Sequence, residues 1–178
     1  MASQIVSRLA AIMFDRDEDP DAPLREFVAA ARAGGVRIAG FMQEHANDEN
    51  CMAHDVRLRD LDTDATLQIM QDLGAQSEGC RVDPAAIAAA ARMLETARER
   101  SPDLILVNRF GRLESEGGGM LGEIGRAVAD GDALIICVPL RYREAWNAFA
   151  EGLDSQLPPQ RAAIETWWAR VTSSTIDV

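Results

Sequence analysis

The segment NRFGRLESEGGG places hydrogen-bond donors, carboxylates and three consecutive glycines directly after the apolar run DLILV. Asn108 and Arg109 offer donors to an oxyanion, and Glu114 is a candidate acceptor or general base. The amides of Gly117, Gly118 and Gly119 precede a predicted helix and are candidates for an anion-binding nest. The alternative interpretation is a turn with solvated charges, in which the glycines adopt unusual dihedral angles.

A further donor, Arg141, follows Pro139 after a second apolar run, ALIICV. Open α/β sheets bind ligands at the carboxyl ends of their strands, so Arg141 is predicted to lie near Asn108 and Arg109. Together these three side chains are predicted to bind a small oxyanion. The alternative is that Arg141 begins the next helix in solvent.

Three soft or borderline metal ligands occur as Cys51-x-x-His54 with Cys80 further along the chain. They suit zinc or another transition metal, with His45 or Asp55 as a candidate fourth ligand. The spacing is incomplete, because structural zinc sites usually present two closely spaced ligand pairs. The alternative is two unrelated thiols and an exposed histidine.

The start of the chain has the pattern of a βαβ unit. Leu9–Phe14 is a short apolar run that predicts a buried strand. A helix is predicted next, capped by Asp21 and ended by Gly34–Gly35. Val36–Met42 predicts the second strand. A βαβ unit implies a parallel sheet.

A polar region at about residues 44–82 interrupts this alternation. Within it, Asp55–Leu61 and Ala65–Gln71 are predicted to form an inserted hairpin. Asp83 then caps a helix whose first residue is Pro84. The insertion is predicted to belong to the same α/β domain, which spans residues 1–178.

The rest of the chain predicts two more buried strands, Asp103–Val107 and Ala133–Val138, with a helix between them. Two final helices carry Trp146 and the pair Trp167–Trp168. These tryptophans are predicted to pack the helices onto the sheet or to form a contact with a partner or a second subunit. The fold class predicted is α/β, with a mostly parallel sheet flanked by helices.

Composition excludes several classes of function. The net charge of −11 and the pI of about 4.6 disfavour binding to nucleic acid or to a membrane surface. The chain contains no lysine, which excludes a phosphate-binding or Schiff-base lysine. Three cysteines, with Cys137 predicted in the core, and no long apolar run favour a cytoplasmic protein without disulfides.

Three stretches carry a resemblance to a known family: AAIMFD with LREFVAAARAGGVRIAGFMQ, RLRDLDTDATLQIMQDLGAQSEGCRVDPAAI, and DLILVNRFGRLESEGGGM. They resemble the bacterial family of domain of unknown function 2478, whose members often lie beside molybdate-transport genes. NRFG-x-x-E-x-E-G-x-G is the most specific motif. The resemblance implies a link to molybdenum metabolism, with molybdate or tungstate as the oxyanion.

That family is in turn distantly similar to small P-loop nucleoside triphosphatases, which implies a three-layer architecture. This chain departs from the P-loop pattern at two places. The acidic segment DRDEDPD, Asp15–Asp21, stands where the glycine-rich phosphate loop with its lysine is expected. Asn108 stands where the magnesium-binding aspartate is expected. Carboxylates repel a triphosphate, so ATP is not expected to bind in the usual pose.

Three hypotheses follow. The preferred one is a cytosolic binding protein for a small oxyanion. The second is an interaction protein built on a degenerate nucleoside triphosphatase scaffold. The third is a divergent nucleotide hydrolase that uses Glu114 as its base.

Overall fold

The computed structural model describes residues 6–45, 56–70 and 82–174. The strands in these ranges form one seven-stranded sheet. The strands are β1 (Leu9–Phe14), β2 (Ile38–His45), β3 (Val56–Asp60), β4 (Thr66–Gln68), β5 (Leu104–Arg109), β6 (Leu134–Pro139) and β7 (Asp154–Leu157). Their order is β4-β3-β2-β5-β6-β1-β7. The five strands from β2 to β7 in this order are parallel, whereas β3 and β4 are antiparallel additions at one edge.

Helices cover both faces of the sheet. They are α1 (Asp21–Ala33), α2 (Pro84–Arg98), α3 (Arg112–Ser115), α4 (Leu121–Ala129), α5 (Arg143–Ala150) and α6 (Arg161–Ser173), with a short 3₁₀ helix at Leu140–Tyr142. Helices α1 and α6 contribute to one buried apolar cluster, and α2, α4 and α5 contribute to the other. The protein is therefore a three-layer α/β structure, as the sequence predicted.

The centre of the sheet is apolar because β5 and β6 are covered on both faces. Alternate residues of β5 enter opposite clusters: Leu104 and Leu106 pack toward α1 and α6, whereas Ile105 and Val107 pack toward α2 and α4. Each such buried side chain contributes about 1.5–3 kcal/mol by leaving water. These two strands are the continuous apolar runs in the sequence, and their position confirms the predicted parallel core.

The predicted hairpin is confirmed, and it lengthens the main sheet. β3 pairs with β2 from Phe41↔Asp60 to His45↔Val56, and β4 pairs with β3. Gly40 lies where β2 approaches β5 most closely, with φ of 102°, and a Cβ there would lie 2.0 Å from the Leu106 carbonyl oxygen. Only glycine fits this position, so the register of β2 and the placing of its carboxyl end depend on it.

The sequence prediction was wrong about the role of Asp21 and missed one strand. Asp21 is the first residue of α1 and forms no cap; its side chain is buried and turned toward β5. The missed strand is β7, which lies beside β1 at the sheet edge. Its sequence, DSQL, is too short and polar to resemble a strand.

Two of the three tryptophans are core residues. Trp146 is fully buried, packs edge-on against Phe110 at 5.3 Å, and donates Nε1–H to Asp154 Oδ2 at 2.8 Å. Trp167 donates Nε1–H to the Ser7 carbonyl oxygen at 2.9 Å. Their packing role is therefore met inside the chain, and only Trp168 is partly exposed.

No helix within the described ranges is long and apolar enough to cross a membrane.

Candidate functional site

A cleft of about 620 Å³ lies at the carboxyl edge of the sheet, where β1, β2, β5 and β6 end. Its lining includes residues just after β1, residues at the end of β5 and the segment that follows β6. They are Phe14, Asp15, Arg16, Gln43, Arg109, Phe110, Gly111, Pro139, Leu140 and Arg141. The topology of the sheet thus brings together side chains that are far apart in the sequence.

Three arginines from three strand ends line this space, which we call the arginine cleft: Arg16, Arg109 and Arg141. The Arg141 guanidinium lies 5.0 Å from the Tyr142 ring centroid. Among the described residues, neither Arg16 nor Arg141 has a side-chain hydrogen bond or ion-pair partner, and both are exposed. Their donors are therefore directed to solvent or to a ligand.

Arg109 is held by a buried network with Asp21. Its Nη2 lies 2.7 Å from Asp21 Oδ2, and the side chains are 24% and 10% exposed. In the orientation that satisfies both ends of its amide, Asn108 donates to Asp21 Oδ1 at 3.3 Å and accepts from the Gln43 backbone N–H at 2.8 Å. The buried carboxylate therefore receives donors from two consecutive residues of β5.

An irregularity in β5 makes that double contact feasible. Successive side chains of a regular strand point to opposite faces. Here Val107 pairs with Ile136 and Arg109 pairs with Cys137, so Asn108 is an extra residue between two steps of β6. Such a bulge turns the side chain that follows it, and it brings Arg109 to the same carboxylate as Asn108.

The remaining surroundings of Arg109 are apolar. Its guanidinium lies 4.8 Å from the Phe14 ring centroid, and its Nη1 is buried without a hydrogen-bond acceptor among the described residues. Cys137 lies close by in β6, and burial raises the pKa of its thiol to about 12. This cysteine is a core residue, as predicted, and it remains a neutral thiol at physiological pH.

The acidic loop between β1 and α1 uses its carboxylates to satisfy its own backbone. Glu18 accepts from the Asp15 amide at 2.7 Å, and Asp15 accepts from the Arg16 amide at 2.7 Å. Asp19 accepts from the Asp21 amide at 2.8 Å. Two N–H groups at the beginning of the loop and one at the first residue of α1 are thus already bonded, where a phosphate loop would direct its amides to a ligand.

Glu114, the candidate general base, bridges two points of the loop that follows β5. One carboxylate oxygen accepts from the Gly111 amide and the other from the Met120 amide, both at 3.0 Å. Glu114 does not line the arginine cleft. Its carboxylate therefore fixes α3 and the turn into α4. It lines a smaller cavity together with Asn108 and Arg109, whereas Arg141 lines the arginine cleft.

Two of the three amides of the expected nest are already bonded within the loop. The Gly117 amide donates to the Glu114 carbonyl oxygen at 3.1 Å, and the Gly118 amide donates to the Leu113 carbonyl oxygen at 2.8 Å. None of Gly117, Gly118 and Gly119 lines the arginine cleft. The glycines are needed for the turn itself, since Gly117 and Gly119 have φ of 87° and 59°.

The proposed metal ligands Cys51, His54 and Cys80, and the alternative fourth ligand Asp55, lie outside the described residues. His45, the other alternative, is the last residue of β2. Within residues 6–45, 56–70 and 82–174, no three His, Cys, Asp or Glu side chains are grouped to hold a metal ion.

Sequence reasoning missed Arg16 and Gln43 as lining residues of the cleft. Arg16 is surrounded in sequence by carboxylates, which made the whole segment look repulsive to anions. Gln43 was placed beyond the predicted end of β2, whereas the strand continues to His45. The available signal was topological, because residues following β1 must share an edge with those following β5 and β6.

Two solved structures share this fold. A human cancer-related nucleoside triphosphatase has a TM-score of 0.63 at 11% identity, over 95% of this chain and 97% of that one. THEP1 from the hyperthermophile Aquifex aeolicus has a TM-score of 0.61 at 12% identity, over 93% of this chain and 98% of that one. The chain therefore shares the fold of these two proteins.

A relative of known name matches at higher identity. It is the molybdenum import ATP-binding protein ModC 2 of Bradyrhizobium diazoefficiens, 33% identical over 168 residues. The match covers 94% of this chain, which spans only 19% of that protein's length.

A family model provides the most extensive assignment. The model described as "Protein of unknown function (DUF2478)" matches residues 9–167, which include every described strand and most of α6. The chain belongs to this family, DUF2478.

Proposed function

We propose that this protein binds a small oxyanion of the molybdate or tungstate class in the arginine cleft, without hydrolysing a nucleotide. The observation that carries the proposal is the convergence of Arg16, Arg109 and Arg141 on one cleft. The whole chain is strongly acidic, with a net charge of −11. The charged side chains that line the cleft are three arginines and one carboxylate, Asp15, so the lining is more positive than the chain as a whole.

The arrangement suits a tetrahedral oxyanion. Guanidinium groups donate pairs of charge-assisted hydrogen bonds to oxyanions, and they remain charged at every physiological pH. Arg16 and Arg141, which have no ion-pair partner in the described part of the chain, are the expected direct ligands. Arg109 shares its charge with Asp21 and contributes from the floor of the cleft.

The molybdenum assignment is supported by the named relative. ModC 2 of B. diazoefficiens is a molybdenum import ATP-binding protein, and this chain matches a segment of about a fifth of its length. A role in storage, delivery or sensing of molybdate in the cytoplasm is consistent with this match. The match supports only the choice of the oxyanion. The ATP binding of ModC 2 is not proposed for this chain.

The fold favours a nucleotide as the competing ligand. Two features disfavour triphosphate binding in the usual pose. The amides of Asp15, Arg16 and Asp21 already donate to carboxylates of the same loop, and the chain has no lysine. Hydrolysis with Glu114 as base is disfavoured because both of its oxygens already accept backbone hydrogen bonds. An interaction scaffold remains the alternative if no small ligand binds.

The proposal is tested by calorimetric titration with molybdate, tungstate and ATP. We expect molybdate and tungstate to bind, and Arg141→Gln to weaken binding at least tenfold, since it removes a charged donor. Arg143→Gln is the matched control, because Arg143 is also exposed but does not line the cleft. Equal affinities for the two variants, or binding of ATP alone, would contradict the proposal.

A further inference from the structure

An apolar cavity of about 170 Å³ adjoins the arginine cleft on the side of α2. Its inner wall is formed by four buried side chains of β2, β3, β5 and the start of α4: Phe41, Leu58, Val107 and Met120. An engineered protein cavity of about 150 Å³ is large enough to hold benzene. This cavity is therefore of the size of one six-membered ring.

The mouth of the apolar cavity is lined by aliphatic side chains that are only partly buried. They are Ile69 after β4, Val82 before α2, Ile87 on α2 and Leu113 on α3. Apolar groups clustered at an opening remain partly hydrated, and a ligand that covers them gains the free energy of removing that surface from water. The opening is therefore suited to an apolar group.

Three polar side chains that line the cavity, Asn108, Arg112 and Glu114, are already paired within the protein, whereas Arg109 Nη1 has no acceptor among the described residues. Asn108 is bonded to Asp21 and Gln43, and both carboxylate oxygens of Glu114 accept backbone hydrogen bonds. Arg112 is paired with Glu116 at 2.8 Å. An apolar ligand group that enters the cavity therefore breaks none of these hydrogen bonds, so it does not incur the cost of leaving a polar group unsatisfied.

The cavity and the cleft share Gln43, Arg109 and Gly111 as lining residues. They are consequently adjacent compartments, one cationic and one apolar, with these three residues as their common boundary. Two such compartments suit a molecule that has an anionic end and an apolar end.

We infer that the site also takes an organic oxyanion that carries a ring-sized apolar group, with the anion among the arginines and the ring in the apolar cavity. The inference rests on the proposed function, because the anionic end uses the same arginine cleft. It adds a second determinant of specificity that bare molybdate does not use.

The test compares phenyl phosphate with methyl phosphate at pH 8, where both are dianions, and uses molybdate as the reference for the cleft alone. We expect the phenyl ester to bind at least tenfold more tightly than the methyl ester, because only the phenyl group fills the cavity. Arg141→Gln weakens both esters to a similar extent.

Two cavity-filling variants separate the compartments. Ile87→Phe and Leu113→Phe each introduce a ring at the mouth, from partly buried positions on different helices. The test uses each variant that unfolds as cooperatively as the wild type. In such a variant, the phenyl ester is expected to bind no more tightly than the methyl ester. The affinity for molybdate is expected to stay within twofold of the wild-type value.

Equal affinities of the two esters, or an unchanged preference in a folded variant, would overturn the inference while molybdate binding still upheld the proposed function. Absence of binding by all three ligands would overturn both.

Discussion

At the scale of single residues, the decisive feature is the carboxylate of Asp21. It belongs to the first residue of α1, and it receives donors from Arg109 and Asn108. An aspartate at position 108 would put two carboxylates in contact, whereas asparagine supplies a donor. Asparagine at position 108 therefore suits the buried carboxylate of Asp21, whereas an aspartate there would not.

Asp21→Asn is expected to reduce the free energy of unfolding by about 2 kcal/mol, because it leaves the partly buried Arg109 without a countercharge. Asp17→Asn, at an exposed position of the same loop, is the control and is expected to change it by less than about 0.5 kcal/mol. Urea denaturation of both variants measures the difference. A loss of the same size in both would show that the Asp21–Arg109 pair contributes little.

The buried thiol of Cys137 is expected to make the free energy of unfolding depend on pH in the alkaline range. Burial raises the pKa of its folded-state thiol from 9.0 to about 12. The folded state therefore keeps its proton while the unfolded chain loses it, so this contribution is complete below about pH 9 and is lost as the pH rises toward 12.

Between pH 9 and pH 10.5, the free energy of unfolding is expected to fall by about 2 kcal/mol through this thiol. Cys137→Ala should lack that part of the slope, and the absence of lysine leaves few other groups that titrate there. Urea denaturation at several pH values measures both slopes. Parallel slopes for the variant and the wild type would rule out the effect.

At the scale of elements, the predictions from sequence succeeded where hydrophobic pattern alone decides the structure. The runs in β5 and β6 are apolar throughout, and Asp83 with Pro84 marks the start of α2, where Asp83 accepts from the Ala85 amide at 2.9 Å. β7 escaped prediction because its pairing depends on β1, a distant segment, and on the bond from Trp146 to Asp154. Its own residues carry little strand signal.

The loop after β5 shows a second limit of sequence reasoning. The motif from Asn108 to Gly119 was correctly placed at the carboxyl edge, but the roles within it depend on which hydrogen bonds close the loop. Gly119 approaches Glu114 so closely that a Cβ would lie 2.1 Å from its Oε1. Glu114 accepts from the amide three residues before it and from the amide six residues after it. This pairing depends on the tertiary structure, so residue spacing alone does not predict it.

Glu114→Gln is expected to lower the free energy of unfolding by about 1–2 kcal/mol, since an amide cannot accept from both the Gly111 and the Met120 N–H. Hydrogen exchange at those two amides should accelerate. Glu116→Gln is the control, because Glu116 forms only an exposed pair with Arg112. If hydrogen exchange at both amides were the same in Glu114→Gln as in the wild type, Glu114 would not stabilise this loop.

At the scale of the whole molecule, the charge distribution is the main functional signal. The net charge of −11 disfavours an extended basic surface, yet the sheet topology gathers three arginines at one edge. The order of strands and loops in the sequence was enough to predict that Arg109 and Arg141 lie near each other. The position of Arg16 in the cleft did not follow from this order, because its neighbours in the chain are acidic, and one of them, Asp15, lines the cleft beside it.

The most direct measurement of the central claim is the molybdenum content of two double variants after dialysis against molybdate, determined by plasma mass spectrometry. Arg16→Gln with Arg141→Gln removes two cleft arginines, and Arg25→Gln with Arg143→Gln removes two exposed arginines elsewhere. The net charge of the two variants is the same, so general electrostatic effects cancel.

We expect the wild type and the second variant to retain about one molybdenum per chain at saturation and the first to retain almost none at the same free concentration. Equal retention by the two variants, or none by the wild type, would contradict the assignment of the arginine cleft as an oxyanion site.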